Sequence, residues 1–251
     1  MTQQADSPRK VIILGALSAV AEEVARLYAE EGAALMLVAR GQARLDSVAA
    51  DLRARGAAEV KTAALDLAEA NAAVETPKLI TALGGADHVI LAYGILGDQS
   101  RAETDQSEAA HILNVDFVSA AYWSLAFAGH LEAQRGGALV VIGSVAGDRG
   151  RASNYVYGAA KGGLGILIQG LAHRLSRVGA RAVLVKPGFI DTPMTAAFKK
   201  GPLWAKPGKI ATIIRRAAEH GGPIQYAPGF WRLVMTAIRL VPGAIFHRTK
   251  L

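Results

Sequence analysis

Six short apolar runs, each stopping at a small or polar residue, constrain this chain more than any other feature. They fall at 10–14 (K-V-I-I-L), 34–39 (A-L-M-L-V-A), 60–65, 87–91 (D-H-V-I-L), 138–144 (A-L-V-V-I-G-S) and 180–186 (A-R-A-V-L-V-K). Runs of this length without polar alternation suit strands buried on both faces, and parallel strands of that kind need helical crossovers. Stretches with helical character separate them: Val20, Val24, Leu27 and Tyr28 share one side of 18–31, and 42–55, 105–133 and 154–177 read as further helices. The alternation predicts an α/β fold, a doubly wound and mostly parallel sheet with helices on both faces. At 251 residues, one such domain from 10 to 251 behind a flexible leader, 1–9, accounts for the whole chain.

Composition narrows the chemistry. There is no cysteine, which excludes a disulfide scaffold, a thiol nucleophile and a thiolate metal site. His88, His111, His130, His173, His220 and His247 are scattered without ligand spacing, so no metal is expected. The opening M-T-Q-Q-A-D-S-P-R-K lacks an apolar core, and no uncharged apolar stretch approaches the ~18 residues of a spanning helix. A cytoplasmic protein is the default expectation.

The net charge of +7 is unevenly placed. Residues 199–251 hold ten Lys or Arg and one acid, Glu219, a balance of +9 that leaves −2 for residues 1–198. Basic character confined to one end points to an anionic substrate or a membrane surface rather than to nucleic acid. Within that end, 229–251 reads as a basic amphipathic segment, while 193–210, polar and rich in Gly and Pro, reads as a substrate lid.

Three side chains carry the candidate chemistry. Ser144 closes the fifth run, and Tyr157 and Lys161 lie four apart on one helix face. A phenol titrates near 10, and an ammonium about 4 Å away at an effective dielectric near 20 is worth about 4 kcal/mol, up to ~3 units of acidification before desolvation opposes it. Tyr157 is thereby expected to exchange protons near neutral pH, with Ser144 binding the same substrate oxygen. Asn114, inside the apolar 105–133 helix, must find partners, either a neighbouring backbone or a water beside Lys161. Arg149 and Arg151, close after Ser144, are candidates for a substrate phosphate or for loop caps.

A cofactor site is expected at the strand ends. The turn G-A-L-S-A-V-A runs from Gly15 through Ser18, Ala19 and Val20 into a helix whose free N–H groups suit a pyrophosphate; tight helix-on-strand packing is the other reading. In a dinucleotide-binding unit an acid closing the second strand binds the ribose of NAD, whereas an arginine accommodates the 2′-phosphate of NADP. No acid occurs at 38–41 and Arg40 stands there, so NADP (NADPH) is expected in preference to NAD.

Together these residues resemble the short-chain dehydrogenase/reductase family over nearly the whole chain. The likeness rests on the Gly15 turn, Asp66 and Leu67 after the third run, Leu91-Ala92-Tyr93-Gly94, Asn114, Ser144 thirteen residues before Tyr157, Tyr-x-x-x-Lys at 157–161, and Pro187-Gly188 followed by Ile190 and Thr192. Two departures stand out: Ala19 and Ala21 replace family glycines, and L-A-Y-G replaces N-N-A-G. The resemblance implies a Rossmann-type fold, catalytic roles for Asn114, Ser144, Tyr157 and Lys161, a nicotinamide ribose held by Tyr157 and Lys161, further cofactor contacts from the remaining motif residues, and homodimers or homotetramers built on the helices at 105–133 and 155–177. A narrower likeness, carried by A-Y-G-I-L-G-D, V-A-G-D-R-G-R-A-S-N-Y-V-Y-G-A-A-K-G-G-L and the tail from Tyr226, is to the keto-reductase components of decaprenylphosphoryl-ribose 2-epimerases. It implies a lipid-linked anionic keto substrate, a flavin oxidase partner and association with the inner membrane surface. A reductase of soluble ketones or 3-oxoacyl groups and a catalytically silent NADP-binding regulator are the alternatives; a regulator would not need the Asn/Ser/Tyr/Lys set.

Overall fold

Seven parallel strands, in the order β3-β2-β1-β4-β5-β6-β7, form the sheet of the computed structural model, which describes residues 7–249. They are β1 (Lys10–Leu14), β2 (Ala34–Ala39), β3 (Glu59–Ala64), β4 (His88–Leu91), β5 (Ala138–Ile142), β6 (Arg181–Pro187) and β7 (Ile224–Ala227). The helices are α1 (Ala19–Glu30), α2 (Gln42–Ala54), α3 (Ala72–Leu83), α4 (Gln99–Ala102), α5 (Gln106–Leu113), α6 (Ala120–Gln134), α7 (Tyr155–Ser176), α8 (Pro207–His220), α9 (Trp231–Leu240) and α10 (Gly243–Phe246). The chain winds outward from β1 to β3, then returns to lay β4 on the other side of β1, so Leu14 pairs with both Val38 and Leu91. A crevice opens at such a switch point, at the carboxyl ends of the strands, and there a doubly wound sheet takes its ligand.

Alternation along each strand feeds two core layers. Val11 and Ile13 pack with Val24 and Tyr28 of α1 and with Ile210 and Ile214 of α8. Ile12 and Leu14 pack on the opposite face with Trp123, Phe127 and Leu131 of α6 and Ile168 of α7. The expected Rossmann-type doubly wound fold is therefore present, in one domain.

Four expectations need correction. The sheet has a seventh strand: I-Q-Y-A in β7 is a short edge strand that is only partly buried, so no apolar run marks it. The lid assigned to 193–210 ends earlier, because Pro207 at the first position starts α8 and Ile210 is buried in the core. Arg9, assigned to the leader, belongs to the fold: its carbonyl accepts from the Ala34 N–H at 2.8 Å and its guanidinium meets Glu219 at 2.7 Å. Residues 1–6 of that leader and 250–251 of the basic tail lie outside the described residues. Finally, the helix expected at 105–133 is α5 and α6 joined by a π-helical turn, Asn114–Ser119. Its span, Gln106–Gln134, is long and apolar enough to cross a bilayer, yet Trp123, Phe127 and Leu131 are buried in the domain's own core.

At the opposite end of the sheet from the crevice, His88 opens β4 and its Nδ1 meets the Tyr28 hydroxyl at 2.7 Å. Burial, followed by the positive charge of Arg9, lowers its pKa to about 4, so the folded protein holds it neutral. The unfolded chain binds a proton below ~6.5. The contribution of His88 is thus complete above that pH and is lost as pH falls toward 4, by up to about 3 kcal/mol. Chemical denaturation of the wild type should show unfolding free energy falling across this window, and His88→Gln should flatten that part of the profile.

Candidate active site

Ser144, Tyr157 and Lys161 converge beside the crevice because three glycines let backbone meet backbone. Ser144 follows β5 and leads a short 3-10 turn, Val145–Asp148. A Cβ on Gly147 would stand 2.7 Å from the Lys161 carbonyl carbon, and one on Gly158 would stand 3.0 Å from the Ala146 carbonyl oxygen. A Cβ on Gly162 would in turn press on the Gly147 carbonyl oxygen at 3.2 Å. The turn after Ser144 therefore lies directly on the face of α7 that carries Tyr157 and Lys161. The Ser144 hydroxyl accepts from the Ala146 N–H at 3.1 Å, which fixes its direction. The Val156 N–H near the start of α7 is capped by the Gln99 side chain at 3.1 Å.

Lys161 Nζ lies 5.7 Å from the centre of the Tyr157 ring, but its direct partner is Asp116 Oδ1, at 2.9 Å. Asp116 sits in the π-helical turn, with its side chain 0 % exposed against 5 % for Lys161. Burial disfavours the ammonium, yet Asp116 and Tyr157 together outweigh it and the Lys161 pKa is raised. The Tyr157 phenol is also raised, first by burial and then by the Asp116 charge, against the lowering influence of Lys161 and of Ser144. This corrects the expected net acidification: burial of the phenol outweighs the pull of Lys161, and the Asp116 carboxylate adds to the burial. Asn114, the first residue of the π-helical turn, is half-buried, and its side chain enters no hydrogen bond among the described residues.

The cofactor candidates line the strand ends. Gly15 has φ +79° and a Cβ there would come 2.6 Å from Tyr93 Cβ, so β1 turns where only glycine fits. Ser18 caps α1, accepting from the Ala21 N–H at 3.3 Å, and Ala19 and Val20 open its first turn. The first N–H groups of a helix have no partner within it. This bare cradle at a helix N-terminus suits a pyrophosphate. Ala92 and Gly94 follow β4, and Gly94 leaves room for the Lys161–Asp116 pair and nothing more.

Asp66 and Leu67 follow β3. The Leu67 carbonyl accepts from the Trp123 indole at 2.9 Å, and Arg40 reaches Asp66 at 3.6 Å while remaining 77 % exposed. Pro187 closes β6, and Gly188 is covered by Trp231 of α9. Ile190 bridges to Ala205, while Thr192 is held by Thr195, whose hydroxyl accepts the Thr192 N–H at 3.2 Å.

Several residues of this region were not singled out by their sequence pattern. Arg44 in the first turn of α2 reaches the Leu17 carbonyl at 3.4 Å and Glu22 at 2.8 Å, placing a second guanidinium beside the Gly15–Ser18 turn. Its spacing four beyond Arg40 was the available signal. Asp148 pairs with Lys186, a charge inside an apolar strand, and accepts from the Tyr226 hydroxyl at 2.7 Å, tying the turn after Ser144 to β6 and β7. Arg149, a candidate for a substrate phosphate, is committed elsewhere. It donates to the Ile238 carbonyl and, at 2.7 Å, to that of Val241, and lies 3.7 Å over the Phe246 ring, so it latches the end of α9. Arg151 reaches Met235 Sδ at 3.5 Å, with its Nε buried and unpaired.

The sheet order and a Ser/Tyr/Lys cluster at its carboxyl ends define an oxidoreductase of the dinucleotide-binding, doubly wound class. The sequence profile of the short chain dehydrogenase family matches residues 9–202. Similar proteins include an uncharacterized oxidoreductase of Mycobacterium tuberculosis, 37% identical over 95% of this chain and 96% of its own length. Another, from Streptomyces coelicolor, is 34% identical over 96% of each chain. The crystal structure of levodione reductase superposes with a TM-score of 0.79 at 23% identity, over 90% of this chain and 98% of that one. That of NAD+-bound xylitol dehydrogenase gives 0.77 at 17%, over 87% and 96%. The chain belongs to the short-chain dehydrogenase family and is an oxidoreductase of that type, using a nicotinamide cofactor.

Proposed function

We infer that this oxidoreductase reduces a ketone to a secondary alcohol with NADPH, and that Tyr157 is the proton donor. The observation that carries the reading is the meeting of Ser144, Tyr157 and Lys161 at the end of β5. A protonated phenol beside the substrate oxygen can give its proton to a carbonyl as the hydride arrives. When bound, the nicotinamide supplies the hydride. Tyr157 delivers a proton to the oxygen, Ser144 donates a hydrogen bond to it, and Lys161 steadies the phenol and with it would hold the nicotinamide ribose. Asn114 has the role of supporting a water on the proton's path from bulk.

Gly15, Ser18, Ala19 and Val20 would hold the pyrophosphate, and Asp66, Leu67, Ala92 and Gly94 the adenosine side. Pro187, Gly188, Ile190 and Thr192 would lie toward the nicotinamide. NADP is favoured over NAD by Arg40, an exposed cation at the end of β2, supported by Arg44. With any accepted ketone, NADPH oxidation followed optically should exceed NADH oxidation. Arg40→Ala should raise the KM for NADPH about tenfold, the loss of one charge-assisted contact, and leave that for NADH unchanged. Equal use of the two cofactors by the wild type would remove the NADP assignment.

The substrate class is read from the rim. Phe189, Met194, Phe198, Leu203 and Phe230 are exposed large apolar residues on the segments after β6 and before α9. Further out, Leu233 and Leu240 are 75 % and 76 % exposed on α9, beside Arg232 and Arg239. An apolar face edged by cations fits a ketone carried on a lipid phosphate at an anionic membrane surface, the polyprenyl-linked 2-keto-pentose of the narrower likeness, made by a flavin oxidase partner. Co-sedimentation with anionic vesicles should be lost in Leu233→Glu/Leu240→Glu while NADPH oxidation with a small ketone persists; retained binding would favour a soluble substrate. Tyr122 and Leu125 on α6 and Ile166 on α7, also exposed, supply an apolar face for the homodimer or homotetramer.

A further inference from the structure

We propose that Asp116 is a positioning residue of the reaction: its buried carboxylate holds the Lys161 ammonium and sets the pH range over which the Tyr157–Lys161 pair keeps its protons. The inference rests on the reading of Tyr157 as proton donor. Asp116 stands in the π-helical turn between the buried Val115 and Ser119, with its own side chain fully buried. Such turns inside α-helices frequently mark functional positions. Oδ1 accepts from Lys161 Nζ at 2.9 Å and from the Ile95 N–H at 3.3 Å, whereas Oδ2 is buried with no partner at all. The loop after β4 is shaped for this meeting: a Cβ on Gly94 would collide with Asp116 Oδ1 and stand 3.1 Å from Lys161 Nζ.

A carboxylate buried this deeply without a cation would take up a proton, and an ammonium without an anion would shed one. Each keeps the other charged. The titratable groups near Asp116 are Lys161 and Tyr157 on α7, His111 on α5 and Tyr93 in the loop after β4. Tyr157, Lys161 and Asp116 are close enough to titrate as one unit, and the negative member makes the first proton lost by the other two harder to remove. That keeps the donor form of the site in place at alkaline pH. It also fixes Lys161 Nζ in direction, because its bond to Asp116 does not depend on any ligand.

The test is a double-mutant cycle over wild type, Asp116→Asn, Lys161→Met and the double variant. Two quantities are read: the NADPH dissociation constant by fluorescence, and the pH profile of kcat/KM for ketone reduction. Asp116→Asn should move the alkaline limb of the profile down by about one to two units. It should also weaken NADPH about fivefold, the scale of one charge-assisted hydrogen bond, in the presence of Lys161 and by less than about twofold in the Lys161→Met background. An unmoved limb, or the same loss of affinity with and without Lys161, overturns the inference. Should Asp116→Asn not fold, Asp116→Leu/Lys161→Met replaces the pair by apolar groups, a change buried ion pairs tolerate. Compared with Lys161→Met alone it should bind NADPH equally well, and a further fall overturns the inference. Tyr157→Phe separates the two levels: retained turnover sinks the donor reading, whereas an inactive Tyr157→Phe beside a silent Asp116→Asn sinks only the role given to Asp116.

Discussion

Tyr157→Phe is expected to lower kcat for ketone reduction by about 10²–10⁴, the range a positioned general acid contributes, while leaving NADPH affinity within about threefold of wild type. The substitution removes one oxygen and keeps the ring. The variant should fold, because what fixes this end of α7 does not involve the hydroxyl: the glycine contacts at Gly147, Gly158 and Gly162, the Gln99 cap on Val156, and the Lys161–Asp116 pair. The carbonyl oxygen would still meet Ser144 but would find no proton at the moment it gains charge. Single-turnover kinetics with NADPH in excess measure the effect on the chemical step apart from cofactor binding. Turnover equal to wild type would take Tyr157 out of its role.

Why the phenol needs that test is a question the sequence raises and answers only in part. Tyr157 and Lys161 are legible because four residues along a helix bring them to one face, a purely local rule. Six of the seven strands are legible for a similar reason, since unbroken apolar runs report burial on both faces. Asp116 is not, because its meeting with Lys161 joins residues forty-five apart and depends on a π-helical turn that leaves no mark on the apolar pattern. The local rule thus gives the attraction between Lys161 and the phenol without the burial that outweighs it or the carboxylate that adds to that burial, and the phenol pKa is raised rather than lowered. Arg149 behaves in the same way: only five residues after Ser144, it is tied to carbonyls some ninety residues later. Edge strand β7 leaves no apolar run because an exposed edge needs none, and the first turn of α8, rich in Pro, Gly and Lys, has the composition of a loop.

Trp123→Ala should cost about 4 kcal/mol of stability and disturb the cofactor cradle with it. Trp123 is among the largest fully buried side chains, stacked on Phe127 at 6.2 Å between ring centres, in the layer that includes Ile12, Leu14 and Val89 of the sheet. Close packing there leaves nothing to fill the space of an indole, so the transfer and cavity contributions add. The indole N–H also serves the Leu67 carbonyl at 2.9 Å, and without it a buried acceptor loses its partner, at about 1–3 kcal/mol. Against a total of about 5–15 kcal/mol the variant is marginal at best, and its melting temperature should fall by roughly 10–15 °C. Trp123→Phe keeps much of the volume and loses the hydrogen bond, so it should fall between the two in calorimetry. Because Leu67 follows Asp66 at the end of β3, the Phe variant should also bind NADPH several-fold more weakly at a temperature where it remains folded. Wild-type affinity in that variant would show that the Leu67 carbonyl does not depend on Trp123 for its place, and would confine Trp123 to the core.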